Sequence, residues 1–112
     1  MTTAVMVVSP QASFRFALEQ MLIEGGYIVC QGLAKLEAFR HALNACETPP
    51  KIILLDFWMG HAETTGFIKS LKQEGFTIVL MGTKFRGREI AAHEGIRFLE
   101  KPFTRLDLLR AL

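Results

Sequence analysis

The stretch Lys51-Ile52-Ile53-Leu54-Leu55-Asp56-Phe57-Trp58 decides how this chain folds. A charged residue opens it, large apolar residues follow, and a single aspartate closes the run. A short apolar run that does not alternate with polar residues predicts a strand buried on both faces, the centre of a parallel sheet. In open parallel sheets, ligands bind beyond the carboxyl ends of the strands. Asp56 stands at such an end. It is one of only two aspartates among the 112 residues, Asp107 being the other.

Outward from this strand, the sequence alternates strand and helix. Ala4-Val-Met-Val-Val8 predicts a first strand. Ser9 and Pro10 then read as an N-cap and a first helical residue. A helix is expected from about Pro10 to Glu24, with Phe14, Leu18, Met21 and Leu22 on one face and Gly25-Gly26 as its stop. Tyr27-Ile-Val-Cys30 predicts the second strand and Gln31-Gly32 a turn. A second helix follows from about Leu33 to Asn44, facing inward through Leu36, Phe39, Ala42 and Leu43. Thr48-Pro49-Pro50 breaks it. Beyond the central strand, Met59 to Glu63 reads as a loop. The third helix, from about Ala62 to Gln73, packs through Phe67, Ile68 and Leu71.

Phe76 to Met81 predicts strand four, and Gly82-Thr-Lys-Phe-Arg-Gly87 a loop. A short helix from about Arg88 to Glu94 ends at Gly95. Ile96-Arg-Phe-Leu99 predicts strand five. Pro102 restricts the residue before it in the turn that follows. Thr104 and Asp107 resemble a capping box for the last helix, whose apolar positions are Leu106, Leu109 and Leu112. That helix stops on an apolar residue, which reads as a fragment of a longer protein or a trimmed terminus.

Half the residues are apolar, which fits one domain around one core, spanning 1–112. The apolar runs are far too short to span a membrane, and no basic-then-apolar leader opens the chain, so a cytoplasmic location is expected. Cys30 and Cys46 show neither metal spacing nor a disulfide framework, and Cys30 is expected as a buried free thiol. Residues 81–112 carry seven basic and four acidic side chains, led by Lys84, Arg86 and Arg88. This excess either favours an acidic partner or is a solvated face.

Several chemistries lack a signature. Gly82 to Gly87 has P-loop residue types in the wrong order. His41, His61 and His93 have no ligand spacing, and no histidine pairs convincingly with Ser9, Ser13 or Ser70. His61 lies near Asp56 in sequence, and Trp58 reads as a cap over the core. No helix-turn-helix signal points to nucleic acid.

Right-handed crossovers predict a three-layer α/β sandwich, a parallel sheet with helices on both faces. The flavodoxin-like strand order 2-1-3-4-5 is one of two common choices. In that order, Ser9-Pro10, Asp56, Gly82-Thr83 and Lys101-Pro102 converge. A lysine beside a lone carboxylate keeps it ionised. Such an aspartate can accept a phosphoryl group as an acyl phosphate, or it can be a structural ion pair or a turn residue. The loop after strand one offers Ser9, Pro10 and Gln11 and no carboxylate, so Asp56 would hold Mg²⁺ almost alone and weakly.

At these residues the chain resembles a CheY-like receiver domain of two-component response regulators. Ile53-Leu-Leu-Asp56-Phe-Trp-Met59 is similar to the family's phosphoacceptor stretch, and Arg97-Phe-Leu-Glu-Lys101-Pro102-Phe103 to its fifth-strand segment, where the proline is often cis. The resemblance implies the 2-1-3-4-5 sheet, Asp56 as acceptor and Lys101 as the phosphoryl contact. It also implies Gly82 and Thr83 as the strand-four switch region and Phe98 as the aromatic switch. The departures are as informative. Ser9 and Pro10 replace the family's acidic pair, Gly82 replaces its strand-four hydroxyl, and Gly60-His-Ala-Glu63 replaces its loop beyond the acceptor. The expected function is therefore an atypical receiver module acting through protein contacts, with little or no dependence on aspartyl phosphorylation. The alternative is a phosphorelay receiver taking a phosphoryl group on Asp56 from a histidine kinase, its metal helped by Glu100 or Gln11. A small enzyme on a flavodoxin-like fold is the third. The partners implied are the kinase, an attached or separate output domain, and a second copy. Contact is expected through the face of helix four, strand five and helix five, which carries Arg86, Arg88, Arg97, Arg105 and Arg110.

Overall fold

The computed structural model describes residues 3–33, 36–57, 61–83, 85 and 87–112. The strands are β1 (Ala4–Val8), β2 (Ile28–Leu33), β3 (Ile52–Asp56), β4 (Thr77–Gly82) and β5 (Arg97–Glu100). All pair in parallel, in the order β2-β1-β3-β4-β5. The helices are α1 (Ala12–Glu24), α2 (Phe39–Ala45), α3 (His61–Gln73), α4 (Arg88–Glu94) and α5 (Arg105–Ala111). This is the expected three-layer sandwich.

Every residue of β1 and β3 is buried, as unalternating apolar runs require. Successive side chains point to opposite faces of the sheet. Val5, Val7, Leu54 and Met81 meet Leu18 and Leu22 of α1 and Leu108 of α5. Met6, Val8, Ile53 and Leu55 meet Phe39 of α2, Ile68 and Leu71 of α3, and Ile90 of α4. Phe39 stands edge-on to Phe67 and Phe76, with ring centroids 5.3 and 6.1 Å away. Burying one such large side chain contributes roughly 1.5–3 kcal/mol. Among the described residues, no helix is long and apolar enough to cross a membrane.

The sequence expectations fail at four places. First, α1 begins two residues late, with Gln11 rather than Ser9 at its N-cap. The Ser9 hydroxyl accepts the Gln11 N–H at 3.2 Å, which holds a local turn in place of a helical cap. Second, Gln31-Gly32 is strand, not turn. Met6 pairs with Cys30 but Val8 pairs with Leu33, so β2 carries an extra residue there. A glycine inside a strand is a common mark of such a bulge. Third, because β2 runs on, α2 is short and is preceded by a 3-10 turn over Leu36–Ala38. Fourth, the inward residue of α5 is Leu108, fully buried, while Leu106 is 55% exposed. Positions 106, 109 and 112 and positions 108, 111 and 112 both satisfy helical spacing. Packing on α1 and β5 chooses between them. The capping box itself forms as expected: Thr104 Oγ1 accepts from Asp107 N, and Asp107 Oδ2 from Thr104 N.

Cys30 is a buried free thiol, donating to the Thr48 carbonyl at 3.4 Å. Burial, then the neighbouring Cys46, pushes its pKa up to about 12, which leaves it unreactive. Trp58, Met59, Gly60, Lys84, Arg86 and the His61 side chain lie outside the described residues, and so do the expectations placed on them.

Candidate functional site

Strand register builds the site. Val8 is paired with Leu55, so the next residues, Ser9 and Asp56, lie side by side. Asp56 also pairs with Met81 of β4, and Gly82 with Glu100 of β5. Lys101 N–H donates to the Gly82 carbonyl at 2.8 Å, which extends the β4–β5 ladder by one bond. Lys101 thus starts two strands from Asp56, roughly 10 Å at ordinary sheet spacing, and its four-carbon stem spans that gap.

Asp56 is 3% exposed, and both of its carboxylate oxygens are engaged. Lys101 Nζ donates to Oδ1 at 2.6 Å, and Ser9 Oγ donates to Oδ2 at 2.8 Å. Ser9 is fully buried, and its carbonyl accepts from Arg15 Nη1 at 2.9 Å. The Lys101 ammonium also sits 4.2 Å from the centroid of the Phe14 ring. A buried charge is tolerable when its lone pairs are satisfied by a cation and a further donor, and Asp56 has both. The bond from Ser9 and the cover from Phe14 were not legible in sequence. The nearest signal for Phe14 was its place in the first turn after Ser9-Pro10.

The other candidate residues divide. Gly82 lies in β4 beside the pair. Thr83 is exposed, and no hydrogen bond joins it to Asp56 or Lys101 among the described residues. It borders an apolar groove with Phe14, Pro102 and Phe103. The peptide between Lys101 and Pro102 is cis. Phe98 is half buried on the other side of the sheet, its ring 5.3 Å from the Arg88 guanidinium. A Cβ at Gly87, where φ is +101°, would lie 2.9 Å from Phe98 Cε1, so this glycine makes room for the ring. Arg88 also pairs with Glu100 at 2.8 Å, which commits Glu100 away from Asp56.

The arginines expected to form a free basic face are mostly committed inside the chain. Arg97 donates to the Ala111 and Leu112 carbonyls, and Arg105 pairs with Glu24.

These residues do not fit a magnesium ion. Mg²⁺ prefers six oxygens near 2.0–2.1 Å, usually one or two carboxylates plus water and phosphate. Here one carboxylate is offered, and its oxygens already hold an ammonium and a hydroxyl. Among the described residues, no group of three or more His, Cys, Asp or Glu could hold a metal.

No protein-family model and no curated protein matches the sequence. Solved structures do match. A response-regulator signal receiver domain from Bermanella marisrubri is 25% identical, with a TM-score of 0.80 over 98% of this chain and 94% of that one. A response regulator receiver protein from Burkholderia phymatum is 23% identical, with a TM-score of 0.80 over 97% and 90%. The chemotaxis response regulator CheY4 of Vibrio cholerae is 23% identical, with a TM-score of 0.75 over the whole of both chains. The chain therefore has the CheY-like response-regulator receiver fold.

Proposed function

We propose that this chain is the signal-receiving module of a response regulator, with Asp56 at its acceptor position and output through protein contacts. The observation that carries the reading is the buried Asp56–Lys101 pair at the carboxyl end of β3, 2.6 Å across, in a sheet of this order. Two versions of it differ in what Asp56 does.

In one, Asp56 accepts a phosphoryl group from a histidine kinase, and Lys101 contacts the phosphoryl oxygens. The likeness to solved receivers supports this version more directly. In the other, Asp56 is retired from chemistry and the module signals by contact alone, through α4, β5 and α5 to an output domain or a second copy. The Ser9 hydrogen bond and the poor fit to Mg²⁺ support that version. Phosphoryl transfer depends on neutralising the charge of the transferring group, and losing the metal carboxylates removes a large part of that.

The experiment is a titration with Mg²⁺ and beryllofluoride, followed by backbone amide shifts beside an Asp56→Asn control. Saturable shifts at Asp56, Gly82 and Lys101, absent from the control, establish the accepting version. No shift at millimolar Mg²⁺ establishes the contact version.

A further inference from the structure

A second buried carboxylate lies apart from Asp56. Glu94, the last residue of α4, is 7% exposed. Among the described residues no hydrogen bond reaches its carboxylate. The nearest cationic candidate is His93 Nε2, 4.0 Å from Oε2, on a side chain that is 81% exposed. Lys72 is close enough to help, yet its ammonium donates to the Glu94 main-chain carbonyl instead. Glu94 lines a groove of about 510 Å³ between α3 and α4.

Thr65 of α3 also lines the groove, its Oγ1 buried and, among the described residues, without a hydrogen-bond partner. Unpaired buried polar atoms are uncommon and call for an explanation. Beside it the groove is open: an added Cβ on Gly66 would have no heavy atom within 4 Å. Ile90 gives an apolar wall, and the second carboxylate of the lining, Glu89, is exposed. Lys69 and the His93 imidazole also line the groove, and both are exposed.

A carboxylate lining an open groove without a hydrogen-bond donor among the described residues suits a donor-rich cation with a flat body. A guanidinium supplies five N–H donors in one plane, enough for a forked bond to both oxygens of a carboxylate. An ammonium is a point charge that suits one acceptor better than two. We propose that the α3–α4 groove docks an arginine side chain of a partner protein, with the Glu94 carboxylate as its acceptor and Glu89 adding charge at the entrance. The proposal shares no residue with the Asp56 site and stands whichever use Asp56 has.

The test uses the whole 112-residue chain. Argininamide stands in for the side chain, and citrullinamide, its neutral near-isostere, is the control. Amide shifts at Thr65, Gly66, Glu94 and Gly95 are the readout. Argininamide should give saturable shifts with a dissociation constant on the order of a millimolar, as expected for one small group in a preformed groove. Citrullinamide should give none. Glu94→Gln should weaken binding by about tenfold or more, because a charge-assisted fork is lost. Its melting temperature should hold or rise, which separates a binding role from a structural one. Three results would overturn the proposal: no saturable response to argininamide, an equal response to citrullinamide, or undiminished binding by Glu94→Gln. A response to inorganic phosphate alone would mark Lys69 and His93 as the working groups and overturn it as well.

Discussion

Asp56 and Glu94 are both carboxylates buried to a similar depth, at 3% and 7% exposure, and their surroundings differ in kind. Asp56 has a cation on one oxygen and a hydroxyl donor on the other. Among the described residues, Glu94 has an imidazole no nearer than 4.0 Å and no hydrogen bond to its carboxylate. Burying a charge costs several kcal/mol unless pairing and hydrogen bonds offset it. The first site has already met that cost within the chain, so disturbing it should destabilise the protein. The second has no such pair among the described residues, only the His93 imidazole at 4.0 Å.

That contrast can be broken at its strongest point with Lys101→Met. The Asp56 carboxylate would keep its burial and lose its cation, and unfolding in urea should show a loss of about 3 kcal/mol. Lys101 is itself 26% exposed, so water can partly replace it, and the figure belongs at the low end of the range for buried pairs. A loss under about 1 kcal/mol would mean that Asp56 is satisfied by Ser9 and water, and that the pair is incidental to the fold.

A smaller effect comes from reversing the local chemistry. Ser9→Asp combined with Pro10→Asp replaces a donor to Asp56 with like charges beside it. Without metal, stability should fall by about 2 kcal/mol, and millimolar Mg²⁺ should restore much of it by binding the native state. A double variant as stable as the parent, with or without Mg²⁺, would contradict the view that Ser9 and Pro10 traded a metal site for a hydrogen-bonded one.

The smallest effect sharpens the other half of the contrast. Glu94→Gln should leave stability within about 0.5 kcal/mol of the parent or raise it, since it removes an unpaired charge and keeps the shape. A loss near that of Lys101→Met would show that Glu94 has a partner in solution, and the two carboxylates would cease to differ.

The sequence by itself determined the layers and the pairing of Asp56 with Lys101. Five apolar runs too short for membranes, separated by helical spacings and glycine or proline stops, leave few arrangements but a parallel sheet with helices on both faces. Asp56 and Lys101 were legible because each closes or follows such a run, and strand ends are where a parallel sheet places its polar residues. Tertiary structure decided the rest. Helical spacing could not choose between Leu106 and Leu108, because both fit the period and only the packing against α1 and β5 separates them. Ser9 looked like a helix cap, since nothing local reveals a carboxylate 47 residues away that accepts its hydroxyl's hydrogen bond. Glu94 looked like an ordinary polar residue before a glycine stop. Its burial follows from where α3 and α4 lie on the sheet, and that is set by the packing of both helices rather than by any local pattern.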